Sequence, residues 1–324
     1  MRTAILLAAA SVVFAGSLAL AQVGQIASGP LLGGGAVYYQ GPGDVIAVPA
    51  GGGWWGFRAY NHAYAVAHSQ IATIQRISDN TTCTVVSDNN GNLDLVGTPC
   101  SGATIVSFCN LTTCEVNKLF DQTGHGFDLT QATAANKPVL TFTCINTTLP
   151  CMGFTGSSSQ VVFTTAGTAS AAPVSLSAVA KRTGSFTAAQ MTVSGNDASN
   201  VTAQTGFYAA TNQWYLAAGG SAHNTVTLSC GAACLDSAWH AFQGLISGVS
   251  NTSAINIDGT DLTGLVAGTN GISARFALGG NTTQFLTGQM VEGGIWAGTA
   301  FNATNRNAIC HNQIAYWGVS GATC

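Results

Sequence analysis

The feature that most constrains this chain is its punctuation. Short β-branched runs at 139–145, 160–165, 174–180, 186–193, 225–228, 253–257 and 288–296 are cut from one another by Gly, Asn, Ser and Asp. Runs of that length between turn residues predict an all-β sandwich or jelly roll. The 40 glycines agree with it, because tight turns and bulges demand positive φ, which glycine tolerates. One segment departs from the pattern: within 54–76, Tyr60, Tyr64, Ala67 and Ile71 recur at intervals of three or four and predict one short N-terminal helix. Everything after it reads as strands.

Charge narrows the function. Only 6% of the 324 residues are charged, against about 25% in an average domain. The three lysines and six arginines are scattered along the chain without a run. That excludes neutralising a nucleic-acid backbone or adhering to a membrane surface. Mean hydropathy is +0.30, yet the one long apolar stretch is N-terminal. Arg2, an apolar core over 4–14 and Ala19-Leu20-Ala21 before Gln22 have the order of a secretory signal. Gly16 and Ser17 interrupt the stretch, and a bilayer span needs about 20 apolar residues. The expected organisation is a signal peptide over 1–21, a Gly/Pro-rich arm over 22–53 and a single sandwich domain over 54–324, with no internal repeat. A secreted, cell-surface or periplasmic location follows, without membrane insertion after cleavage.

The 10 cysteines fall in neighbouring twos: Cys83 and Cys100, Cys109 and Cys114, Cys144 and Cys151, Cys230 and Cys234, Cys310 and Cys324. An exported chain permits disulfides, and the clustering suggests five local staples, although spacing alone does not choose among the possible pairings. The spacings are not those of zinc ligands. Asp88, Asn90, Asn92 and Asp94 alternate as D-x-N-x-N-x-D and offer hard oxygens to calcium. Asn90-Gly91 is equally a two-residue hairpin turn, and the Glu of an EF-type loop is missing. We expect no metal and no cofactor.

Three ordered blocks carry a family signal: Gln75-Arg76-Ile77-Ser78-Asp79-Asn80-Thr81-Thr82, then Phe108-Cys109-Asn110-Leu111-Thr112-Thr113-Cys114, then Phe120-Asp121-Gln122-Thr123-Gly124-His125-Gly126-Phe127-Asp128-Leu129-Thr130-Gln131-Ala132. They resemble the α-L-arabinofuranosidase B catalytic domain, which shows QR-x-SD-[DN]-TT, FC-x-x-TTC and YDQ-x-G-x-G-x-x-LTQA in that order. The C-terminal half, with Gly279-Gly280-Asn281 and the run from Gly288 to Trp296, resembles the wider concanavalin A-like and laminin-G-like sandwiches. The resemblance implies a concanavalin A-like jelly roll, a Cys109–Cys114 bridge and a polysaccharide or glycan partner. It also implies hydrolysis of terminal α-L-arabinofuranosyl residues by a retaining mechanism. That mechanism needs a nucleophilic carboxylate and an acid about 5–5.5 Å apart.

The chemistry departs from the family where the scaffold agrees. The family's acid is an Asp after a Gly-Gly turn, and Asn281 stands there. Its nucleophile is a Glu on a central strand, and the stretch 204–218 contains Tyr208, Asn212, Gln213 and Trp214 but no acid. The only glutamates are Glu115 and Glu292. Glu115 reads as a solvent-facing side chain, which leaves Glu292 as the catalytic candidate. Gly280, Asn281, Tyr208 and Trp214 are the candidates for substrate binding. Two functions stand side by side: a glycoside hydrolase of arabinofuranosidase type, or a carbohydrate-binding, surface-adhesive or structural module without catalysis.

Overall fold

The computed structural model describes residues 38–162, 169–183, 189–195, 203–207, 213–219, 225–229 and 237–324. The signal segment therefore lies outside them, as do Tyr208 and the pair Cys230 and Cys234. Within them the chain forms two antiparallel sheets packed face to face. In the first sheet the strands run Thr260–Leu265, Ser253–Ile257, His240–Ile246, Val174–Arg182 and Thr287–Ala297. The last of these is long enough to be flanked on its other side by two strands, Gly53–Gly56 and Leu149–Thr155.

The second sheet runs from Thr225–Ser229 through Gln213–Ala217, Gln204–Phe207, Gln190–Gly195, Phe276–Leu278, Val161–Val162 and Leu129–Thr130 to Cys114–Leu119, Gln70–Arg76 and Thr82–Val86. Strand Val139–Ile145 joins the layers, pairing with Leu149–Thr155 and meeting the second sheet where Val139 faces Glu115.

Inward-facing residues of both sheets make the core. Trp55, Leu176, Phe207, Phe242 and Phe276 are at most 1% exposed there. A second cluster of Val48, Trp54, Tyr60, Trp296, Phe301 and Ile309 seats the segment before Gly53 and the C-terminal helix against the outer face of the first sheet. That outer cover explains why Val174–Arg182 and His240–Ile246 are buried on both faces. Strands covered on both sides read as continuous apolar runs instead of alternating ones.

Two corrections to the sequence reading concern helices. The segment 54–76 is mostly strand, Gly53–Gly56 and Gln70–Arg76, with a helix only at His62–Val66, capped by the Asn61 side chain accepting from the Tyr64 N–H. Tyr60 belongs to an outer cluster with Trp54 and Trp296, whereas Ile71 lies in the main core with Tyr64 packed against it, so the three do not form one helix face. Among the described residues the longest helix is C-terminal, Ala303–Trp317, with Asn302 as N-cap and Gly318 in the left-handed conformation at φ 63° closing it. Its buried side includes Arg306, Asn312 and Gln313 beside Ile309, Cys310 and Trp317. A helix that buries polar side chains lacks the apolar period by which amphipathic helices are recognised.

Four of the five suggested staples are present: Cys83–Cys100, Cys109–Cys114, Cys144–Cys151 and Cys310–Cys324. Bridges of this number fit an oxidising compartment. Among the described residues, no helix is long and apolar enough to cross a membrane.

Candidate functional site

Glu292 sits in the middle of strand Thr287–Ala297, fully buried beneath the C-terminal helix. Arg58 grips it bidentately, Nε to Oε2 at 2.5 Å and Nη2 to Oε1 at 2.9 Å. Gln313 of the helix donates its Nε2 to Oε1 at 2.9 Å and also reaches the Ser177 hydroxyl, while Gln243 donates to the Gln313 Oε1. The guanidinium lies 4.8 Å from the Tyr316 ring centroid and 5.9 Å from those of Trp54 and Trp317. Glu292 and Arg58 are each 0% exposed. Both carboxylate oxygens are occupied, and the side chain faces a helix instead of a cleft. The geometry is that of a buried ion pair that docks the helix, and it gives an attacking carboxylate no approach to a sugar.

The turn after Gly279-Gly280 closes a tight hairpin. Leu286 N–H donates to the Gly279 carbonyl and Asn281 N–H to that of Gln284. Gly279 has φ +78°, and a Cβ on Gly280 would fall 2.7 Å from the Phe285 ring, so glycine is required at both places. Asn281 is 2% exposed. Its Oδ1 accepts from the N–H groups of Thr283 and Gln284 at 2.8 and 2.7 Å, and its Nδ2 donates to Gln204 Oε1 at 3.0 Å and Gln284 Oε1 at 3.2 Å. Where the resemblance expects an acid there is an amide that has spent its hydrogen-bonding capacity on shaping the turn. Ser194 adds a hydroxyl bond to the Gly280 carbonyl. What this hairpin shows outward is Thr282 and Thr283, exposed, with Gln284 and Phe285 half-buried. These are hydroxyl, amide and aromatic groups without a charge.

The other carboxylates are committed elsewhere. Asp121 accepts from the Thr123 hydroxyl and the Phe127 N–H, holding its own loop, and Asp128 pairs with Lys118 at 2.6 Å. Asp258 accepts from Ala241 N–H and holds His240 Nδ1 at 2.6 Å. Asp261 forks onto Arg306, Asp79 onto Arg76, and Asp44 accepts from Gly41 and His62 N–H groups. Asp88 spends one oxygen on the N–H groups of Asn90 and Asn92 and the other on the Asn92 amide, and Asp94 caps Val96 and Gly97. The D-x-N-x-N-x-D alternation is thus a turn that binds itself, and among the described residues no group of three or more His, Cys, Asp or Glu converges for a metal. Glu115 is half-buried, its carboxyl raised by burial against the field of Lys137. Asp197 and Asp236 lie outside the described residues.

Trp214 does not offer a face to a sugar. It is 0% exposed, stacked on Phe242 with Phe207 edge-on, and its indole N–H donates to the Thr205 hydroxyl. A tryptophan on a strand face that turns inward is claimed by the core. Gly280 and Asn281 are therefore brought together with Gln204 and Gln284, whereas Trp214 and Glu292 lie apart from them, on the inner face of the second sheet and the outer face of the first. Sequence reasoning missed Arg58, Gln204, Gln284 and Gln313. Only Arg58 carried a signal, since a lone arginine inside the apolar segment 54–60 needs a buried partner.

No family model matches the sequence and no curated protein does. The likeness is structural. An arabinofuranosidase complexed with arabinofuranosyl-α-1,2-xylobiose superposes with TM-score 0.62 at 16% identity over 86% of this chain and 65% of its own. A point mutant of GH54 α-L-arabinofuranosidase soaked with 4-nitrophenyl α-L-arabinofuranoside gives TM-score 0.59 at 15% identity, covering 86% of this chain and 66% of that one. The same enzyme class soaked with a cyclic sulfate inhibitor gives TM-score 0.59 and 15% identity. The chain spans just under two thirds of these proteins' length. It has the concanavalin A-like sandwich fold of the GH54 arabinofuranosidases, and at these identities the shared property is the fold.

Proposed function

We propose that this protein is a secreted carbohydrate-binding module built on an arabinofuranosidase-like sandwich, with its catalytic carboxylates replaced. The observation that carries this reading is Asn281, an amide locked into the turn by Gln204 and Gln284 where the resemblance expects an acid. Retaining or inverting hydrolysis needs two carboxyls facing one sugar. Of the acids described, all but Glu115 are held by hydrogen bonds that build the protein, and the outward groups of the hairpin, Thr282, Thr283, Gln284 and Phe285, suit sugar hydroxyls and ring faces. Solved proteins with this fold hold arabinofuranosyl ligands, which supports arabinose-containing plant-type polysaccharide as the partner.

The test is affinity electrophoresis of the oxidised protein in gels containing arabinan, arabinoxylan or no polysaccharide, run with Gln284→Ala beside the wild type. Retardation of the wild type that weakens in the variant is expected. Equal mobility in all gels would remove the binding reading.

A further inference from the structure

We propose that the outer face of the first sheet carries a platform for uronic-acid-bearing polysaccharide, formed by Trp239, Lys181 and Gln289 in a row. The proposal rests on the carbohydrate-binding reading above and gives it a second surface and a ligand class.

Five of the six tryptophans, Trp54, Trp55, Trp214, Trp296 and Trp317, are 0% exposed. Trp239 alone keeps part of its ring at the surface. It immediately precedes strand His240–Ile246, whose His240 is paired with Ala180, so Trp239 flanks Lys181. Lys181 is the one residue of Val174–Arg182 that is not buried, and its Nζ lies 5.3 Å from the Trp239 ring centroid. Lys181 faces Gln289, and Gln289 faces Gly153 on its other side. Residues in register share one face of a sheet. The row from Gly153 to Lys181 therefore advances by two inter-strand steps, about 10 Å, with Trp239 beyond.

Each member supplies what an acidic sugar needs. An indole face stacks on the apolar side of a sugar ring, leaving ring substituents at its rim. The Lys181 ammonium lies over the Trp239 ring, and among the described residues no carboxylate pairs with it. Burial lowers its pKa. A uronate carboxylate would supply the missing counter-charge through a charge-assisted hydrogen bond. Among the described residues Gln289 Oε1 is buried with no hydrogen-bond partner, an acceptor left for a sugar hydroxyl. Gly153 leaves a notch, since a Cβ there meets nothing closer than 3.6 Å. Glu115, on the same row beyond Val139, bounds the platform for an anionic chain.

The experiment is affinity electrophoresis of the full oxidised protein in polygalacturonate and in its fully methyl-esterified form, which keeps the rings and removes the charge. Arabinan serves as the neutral reference, and melting temperatures report folding. Retardation by polygalacturonate should exceed that by the ester, and Lys181→Gln and Trp239→Ala should each weaken it at least tenfold. Lys181→Gln should leave the ester and arabinan unaffected. Lys181 is at the surface, so this variant decides the matter even if Trp239→Ala does not fold. Equal binding of acid and ester, or polygalacturonate binding unchanged in Lys181→Gln, overturns the platform. If arabinan still binds in that case, the carbohydrate-binding reading stands, whereas loss of binding to every polysaccharide overturns both.

Discussion

Glu292→Gln separates a docking role from a catalytic one. The wild-type carboxylate accepts two hydrogen bonds from Arg58 and one from Gln313, with both ionic partners 0% exposed. An amide at that position keeps one acceptor oxygen and turns an N–H₂ toward groups that are themselves donors. Arg58, ringed by Trp54, Tyr316 and Trp317, is left as a buried charge without its counter-ion. Removing one member of such a pair costs about 3–5 kcal/mol. With a melting shift of roughly 2–4 °C per kcal/mol for a large domain, the transition should fall by on the order of 10 °C in differential scanning calorimetry. The double variant Arg58→Met/Glu292→Leu removes both charges and should be more stable than Glu292→Gln, because an apolar pair of similar volume avoids the desolvation cost. A Glu292→Gln protein that melts within 1–2 °C of wild type would refute the docking role. Wild-type turnover of an arabinofuranoside that disappears in a fully folded Glu292→Gln would show that the residue is catalytic.

Asn281→Asp should restore the residue type that the resemblance expects without restoring hydrolysis, since among the described residues no second carboxyl faces the turn. Its oxygen would oppose the Gln204 and Gln284 carbonyls, lowering stability by about 1–3 kcal/mol in urea unfolding, and measurable arabinofuranoside turnover would contradict this. Replacing Cys83 and Cys100 by Ser opens a bridge spanning 17 residues, which should cost about 3 kcal/mol on the chain-entropy scale; an unchanged denaturation midpoint would count against it. Burial raises the phenol pKa of Tyr39, Tyr60, Tyr64 and Tyr316. The folded state keeps protons that the unfolded chain releases above pH about 10, so stability should be lost as pH rises through that value. Spectroscopic titration should show these phenols ionising only on unfolding, and their ionisation in the native state near pH 10 would contradict the burial.

The sandwich was legible because its evidence is local. Turn residues between β-branched runs, and cysteines close in sequence, report on neighbours a few residues away. The helix Ala303–Trp317 was not, because Arg306, Asn312 and Gln313 occupy its buried side and answer partners far along the chain, Asp261 for Arg306 and Glu292 for Gln313. The same long range hid the role of Glu292. An inward-pointing acid on an apolar strand signals a buried partner, but only the fold brings Arg58 across 234 residues to it. Trp214 reads equally as platform or core until the facing sheet supplies Phe242. Asn281, by contrast, is seen to follow the Gly-Gly pair in the sequence itself, whereas its saturation by Gln204 and Gln284 required the hairpin to close.

The measurement that bears most directly on the central claim is release of 4-nitrophenol from 4-nitrophenyl α-L-arabinofuranoside by the oxidised, folded protein at concentrations where it binds arabinan. The account predicts no release above buffer while binding persists. Sustained turnover by the wild type would contradict it, showing that carboxyls such as Asp197 or Asp236 complete an active site on this sandwich.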